Sequence, residues 1–147
     1  MKLPTANIDL LRRALCDYAE SELTEENRIP QLNIDARVSS GSLSIGLVRE
    51  LSRMEPFGAG NPKPVLATKG ISLRFEPKVM KDRHLKLYLG DRDGRRFEAV
   101  WWDGVERGKE QTLAIGRDIE VAYTLDVNSW QGSERLQLVI EDIRDDN

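Results

Sequence analysis

The chain has 147 residues, 39% apolar and 32% charged, enough to bury a core in one or two small globular units and unlike a fibrous or low-complexity chain. No apolar run approaches a membrane span, and the charged, proline-bearing N-terminus lacks the apolar stretch of a signal peptide, so the expected location is the cytoplasm and no membrane partner is expected. The single cysteine, Cys16, excludes an internal disulfide and a cysteine-based zinc cluster, and the net charge of −3 argues against nucleic-acid binding by bulk charge.

The charge is unevenly distributed. Residues 1 to 68 are close to neutral at −1, residues 69 to 96 carry nine Lys and Arg against four acidic groups, and residues 97 to 147 stand at −7. Any contact with a polyanion should therefore be local, along the middle segment, unless those cations only solvate strand edges and loops.

Asn7 and Asp9 precede and open a run with Ile8, Leu11, Leu15, Tyr18 and Ala19 at helical spacing, which predicts a helix to about Leu23. The alternation over Leu32-Asn33-Ile34-Asp35-Ala36-Arg37-Val38 predicts a half-buried strand. Leu47, Val48, Leu51 and Met54 predict a second helix, with serines at 39, 40, 42 and 44 as candidate caps. Residues 54 to 64, Met-Glu-Pro-Phe-Gly-Ala-Gly-Asn-Pro-Lys-Pro, then stop it, because prolines remove backbone donors and glycines and Asn61 favour turns.

Downstream, alternating rows predict strands at 66–76 (Ile71, Leu73, Phe75), 83–90 (Leu85, Leu87, Leu89), 95–102, 118–127 and 134–143. A hairpin is expected at Asp91-Arg92-Asp93-Gly94, a short helix with Asp103 as its cap over 103–113, and a turn at Asn128 to Gly132. The chain therefore reads as mainly β, α+β overall: a helix–strand–helix lead-in (1–54), a Pro/Gly hinge (55–65) and a five-stranded barrel (66–147). Three strands, a short helix and two strands is the order of the Greek-key OB-fold, although SH3-like barrels share the strand count.

The stretch Glu55-Pro56-Phe57-Gly58-Ala59-Gly60-Asn61-Pro62-Lys63-Pro64 resembles the E-P-F-G-x-G-N-P-x-P motif of the RecJ family of single-strand-specific DNA exonucleases. Leu32-Asn33-Ile34-Asp35-Ala36, His84-Leu85-Lys86-Leu87 and Ala99-Val100-Trp101-Trp102 are similar to further family segments, and residues 7 to 23 resemble the last helix of the DHHA1-type domain that precedes the barrel. The resemblance implies a parent enzyme that digests single-stranded DNA from 5′ to 3′ in repair and recombination, using manganese or magnesium held by D-H-H and G-G-H motifs. Neither motif occurs here and His84 is the only histidine, so this chain is expected to be a non-catalytic piece of a larger exonuclease with no cofactor of its own. Implied partners are single-stranded DNA, the upstream catalytic domains and a single-strand-binding protein.

OB-folds take single strands on the face of their second and third strands, flanked by two loops. Here that rule selects Lys78 and Lys81 in the loop from Glu76 to Asp82, Arg83 at the start of the second strand, His84, Lys86 and Tyr88 on its outer face, and Trp101 and Trp130 as base-stacking candidates. Trp130 sits in a polar turn and either stacks or folds back over the barrel end, while Trp101 and Trp102 must point to opposite faces. The hinge residues Pro56, Phe57, Gly58, Gly60, Asn61 and Pro62 lack the pattern of a phosphate loop and read as a stiff connector. An alternative is a protein-interaction module that docks on the parent nuclease domains or a repair or replication partner; an autonomous enzyme is a third reading.

Overall fold

Two-residue alternation over His84–Gly90 sends Leu85, Leu87 and Leu89 into a dry interior and leaves His84, Lys86 and Tyr88 outside. The computed structural model describes residues 4–24, 30–109, 113–130 and 132–146, the side chain of Trp130 excepted, and divides into compact units Met1–Leu32 and Asn33–Asn147. In the first unit, helix α1 (Ile8–Glu22) follows the predicted span. Asn7 occupies the cap position without a side-chain capping bond, and Asp9 pairs with Arg12 at 3.2 Å.

The second unit holds β1 (Ala36–Arg37), α2 (Ile45–Leu51), β2 (Leu66–Leu73), β3 (Lys78–Met80), β4 (His84–Gly90), β5 (Arg96–Trp101), α3 (Gly104–Arg107), β6 (Asp118–Trp130) and β7 (Ser133–Asp145). Strands run β2-β6-β7-β5-β4, and β4 pairs back onto β2 through Ser72 opposite Gly90 and Leu73 opposite Leu89, closing a five-stranded barrel. The β5–β7 pair is parallel and the other barrel pairs antiparallel, which is the OB-fold. Closure needs a bend in β2. Its register on β6 shifts between Thr68 and Ile71, where Gly70 stands at φ 67°, a left-handed position that glycine occupies without strain.

The interior is filled by Leu87, Leu89, Trp101, Tyr123, Leu138 and Ile140, each no more than 1% exposed. Tyr123 satisfies its hydroxyl against Thr68 Oγ1 at 2.6 Å, and burial pushes this phenol up to about 12. Leu43, Leu47, Val48 and Leu51 of the lead-in pack against the same core, and Ser44 caps α2 by accepting from Leu47 N at 3.1 Å.

Polar clips fasten the lead-in as well. Glu120, 3% exposed on β6, accepts from Arg37 Nε at 2.9 Å and from Arg144 Nε at 2.6 Å. Burial pushes its carboxyl up, but the two guanidiniums outweigh that and leave it below the usual range. Asp91, also buried, accepts from Ser40 Oγ at 2.7 Å, Arg95 N at 2.8 Å and Arg95 Nη1 at 3.1 Å. The Ser40 hydroxyl first, then Arg95, hold it at about 2. Because the folded value is depressed, the stabilisation is fully present above the ordinary carboxylate range, near pH 4, and is lost as pH falls toward 2. Asp91→Asn should flatten the acid-side decline in melting temperature across that window and leave its slope above pH 5 unchanged, as thermal melts at stepped pH will show.

Several expected elements shift. The strand expected over 32–38 contracts to Ala36–Arg37, a parallel edge pairing on β2 continued by Val38 N to Ala67 O, because only one side of it meets the barrel. The first barrel strand ends at Leu73, so Phe75 leaves the inward row and is 54% exposed. The loop expected between the first two barrel strands contains β3, hairpinned onto β4. Asp103 precedes α3 at φ 57° and makes no side-chain capping bond, and α3 spans only 104 to 107; residues 110–112 of the expected helix lie outside the described residues. The turn expected at 128–132 tightens, since β6 runs on to Trp130 and β7 starts at Ser133.

The Pro/Gly stretch lies inside the second unit, downstream of the division at Leu32–Asn33. Asn61 Nδ2 donates to Met54 O at 2.8 Å and Pro56 O at 3.1 Å, and Gly58 and Asn61 exchange backbone bonds at 2.8 and 3.1 Å. The Glu55–Pro56 peptide is cis. Phe57 is half-buried at a small cavity shared with Val48, Leu51 and Leu125.

Candidate nucleic-acid interface

The outer face of β4 and β5 is built by register. Lys78 of β3 lies opposite Lys86, and Tyr88 lies opposite Glu98 of β5. Around the Tyr88 ring, Phe75 stands edge-on at 5.9 Å, and the ammonium groups of Lys78 and Lys86 lie 5.5 and 5.3 Å from its centroid. The quadrupole of the phenol attracts both cations, each by about 0.5 to 1 kcal/mol at an exposed site. The first strand ending at Leu73 is what frees Phe75 to join this group.

Glu98 tempers the positive charge. It pairs with Lys86 at 2.9 Å and with Arg135 Nη1 at 3.4 Å. The Glu98 hydrogen bond raises Lys86 above its ordinary value, and Lys86 in turn lowers Glu98, so both stay ionised across the neutral range. Lys78 has no ion pair among the described residues, and its charge is available to a ligand. Beside Tyr88 the surface opens into a groove of about 590 Å³ whose lining includes Phe75, Leu43 and Leu136, the cations Arg74, Arg96 and Arg135, and the carboxylates Glu98 and Glu134. Aromatic rings, cationic side chains and an open cleft can stack bases while pairing with phosphates.

The other expected contacts separate into distinct groups. Lys81, exposed, stands with Asp82 in the left-handed region at φ 50° and 56°, at the tip of the β3–β4 turn. Arg83 is paired with Asp103. His84 Nδ1 accepts the backbone N–H of Asp103 at 3.0 Å and its ring meets Trp102 edge-on at 4.8 Å. That nitrogen therefore fastens the corner after β5 and is closed to phosphate.

Trp101 requires correction. It is 0% exposed, in the inward row with Phe97 and Ala99, so it cannot stack on a base; the outward tryptophan is Trp102, 52% exposed. The side chain of Trp130 lies outside the described residues; its backbone pairs with Ser133. Phe75, Arg74, Arg96 and Arg135 were not anticipated. Gly90, the buried last residue of β4, is a legible sign that another group approaches there.

The manganese or magnesium implied by the resemblance does not fit this chain's described residues, among which no three His, Cys, Asp or Glu side chains group as a metal site. A family model described as "RecJ OB domain" matches residues 34–142, a span beginning one residue inside the barrel's compact unit. The chain belongs to the RecJ OB domain family.

Curated RecJ relatives agree. The single-stranded-DNA-specific exonuclease RecJ of Bacillus subtilis (strain 168) is 25% identical over 144 residues, 97% of this chain and 18% of that protein. The RecJ exonuclease of Thermus thermophilus is 29% identical over 96 residues, 65% of this chain and 13% of its own length. The chain thus spans less than a fifth of the length of these RecJ proteins. The crystal structure of Thermus thermophilus RecJ in complex with Mn2+ superposes with a TM-score of 0.65 at 23% identity, covering 100% of this chain and 20% of that one, and shares its fold.

Proposed function

We propose that this RecJ OB domain binds single-stranded DNA along the outer face of β4 and β5 and guides it toward a catalytic domain that other parts of a RecJ-like exonuclease supply. The observation that carries this reading is the Tyr88 ring at the edge of an open groove, with Phe75 beside it and two ammonium groups over it. A base laid on the ring adds roughly 1 to 3 kcal/mol whatever its identity, and the lysines follow the backbone on either side. Lys81 at the hairpin tip extends the cationic edge, and Arg83, tied to Asp103, takes a lesser part. The parent activity is metal-dependent hydrolysis of single strands in DNA repair and recombination, carried out in the cytoplasm with metal ligands from outside this chain. No helix among the described residues is long and apolar enough to cross a membrane.

The Pro56 to Pro62 stretch serves as a stiff connector that Asn61 closes onto Met54 and Pro56, and Phe57 seats it against α2 and the barrel beside Val48, Leu51 and Leu125. A second reading rests on α1, which exposes Leu10, Leu15 and Tyr18: this helix docks on the parent's upstream domains, independently of DNA.

Fluorescence anisotropy of a labelled oligothymidylate of about 15 nucleotides tests the main reading. Binding at about 50 mM salt should weaken steadily toward about 200 mM, and Lys78→Glu with Lys86→Glu should abolish it. An oligonucleotide that stays free at the lowest salt, or binds the double variant unchanged, contradicts the reading.

A further inference from the structure

The groove beside Tyr88 does not end at the β4–β5 face. A second cleft of about 370 Å³ lies over the hairpin joining these strands, and it shares Arg74, Phe75 and Arg96 with the first. Four arginines line it, and their partners divide them into two pairs. Arg95 is neutralised by Asp91 at 3.1 Å and Asp93 at 2.7 Å, and Arg92 by Asp118. Arg74 instead donates to the main-chain oxygen of Asp91, so no carboxylate cancels its charge, and Arg96 is exposed with no ion pair among the described residues.

Register brings these two uncancelled guanidiniums together. Gly90 lies opposite Arg96, so β4 presents no side chain on that rung, and a Cβ there would run into Nε of Arg74. The glycine gives Arg74 its place across the strand, next to Arg96. The Tyr88–Glu98 rung is two residues back along β4, a step of about 7 Å. A single strand stacked on Tyr88 and continuing past Phe75 meets two cationic forks suited to phosphate.

We infer that Arg74 and Arg96 form a phosphodiester subsite at the hairpin end of the β4–β5 face, so that the bound strand turns off Tyr88, passes Phe75 and runs onto the β4–β5 hairpin. The subsite rests on the proposed single-strand binding and adds the strand's exit path and the groups that hold it. Arg96→Gln is the primary variant because its side chain is exposed, and Arg74→Gln with Arg96→Gln is the second; melts of both confirm folding. Each is titrated with the 15-nucleotide oligothymidylate over a salt series, next to Lys78→Gln with Lys86→Gln.

Arg96→Gln should weaken binding about fivefold and flatten the logarithmic salt slope by about 0.7, and the double arginine variant should flatten it by about twice that. If the lysine variant weakens binding while the arginine variants keep the wild-type affinity and slope, the subsite is overturned and the Tyr88 face stands. If the unaltered chain binds no oligonucleotide, the single-strand reading falls and the subsite falls with it.

Discussion

Trp101→Ala should destabilise the barrel by about 3 to 5 kcal/mol, whereas Trp102→Ala, one residue on, should cost under about 1 kcal/mol. Trp101 is 0% exposed, lies opposite Leu85 across β4 and β5, and has Gly104 of α3 seated against its ring, where even a Cβ would come within 3.0 Å. Truncation removes the largest fully buried side chain and leaves a cavity bounded by β-sheet on one side and α3 on the other, neither free to collapse into it. Set against a typical domain stability of about 5 to 15 kcal/mol, that loss brings the protein close to unfolding at room temperature. Trp102 rests edge-on against His84 at the surface, and solvent replaces most of what it loses. Urea denaturation checks the pair: a large drop in midpoint for Trp101→Ala with an unchanged denaturant slope is expected, and equal midpoints for the two variants would contradict the assignment of the core.

Among single substitutions, Tyr88→Ala carries the largest expected effect on binding. The variant removes the stacking platform and the ring that both Lys78 and Lys86 lie over, so affinity for oligothymidylate should fall roughly 5- to 150-fold, the equivalent of about 1 to 3 kcal/mol. Tyr88→Phe keeps the ring and should bind within about threefold of the unaltered chain, since the hydroxyl adds little to base stacking. Because Tyr88 points outward from β4, thermal melts of both variants should stay near the starting value. Anisotropy titration at fixed low salt separates these outcomes; equal losses for alanine and phenylalanine would move the contact from the ring to the hydroxyl.

The barrel was legible where one face of a strand is dry and the other wet. Leu85, Leu87 and Leu89 against His84, Lys86 and Tyr88 is such a strand, and the short helix between its third and fourth strands fixed the element order. Legibility failed where both faces of a strand carry apolar groups. Val100 is 6% exposed although it belongs to the outward row, so the pattern around Trp101 and Trp102 held no period from which to choose the inward residue.

Strand ends were the other weak point. Phe75 continues the Ile71–Leu73 alternation in the sequence, but backbone pairing to β4 and β6 has ended, and the ring turns out to meet Tyr88. The lead-in's elements were legible but its attachment to the barrel was not, because that depends on distant partners. Arg37 finds Glu120 and Ser40 finds Asp91, contacts 83 and 51 residues apart that no local spacing announces. The same holds for Arg74 and Arg96, whose proximity follows from barrel closure over Gly90.

Single-stranded DNA lying on the outer face of β4 and β5 should leave its footprint in the backbone amide chemical shifts of the isotope-labelled chain, followed as oligothymidylate is added at low salt. A contiguous set of shifted amides over Lys78, Lys86, Tyr88, Arg96 and Glu98 is expected, with α1 and β1 unmoved. Shifts centred on Ala36–Arg37 or α2 with the β4–β5 face silent, or a spectrum that does not change, would contradict binding on this face.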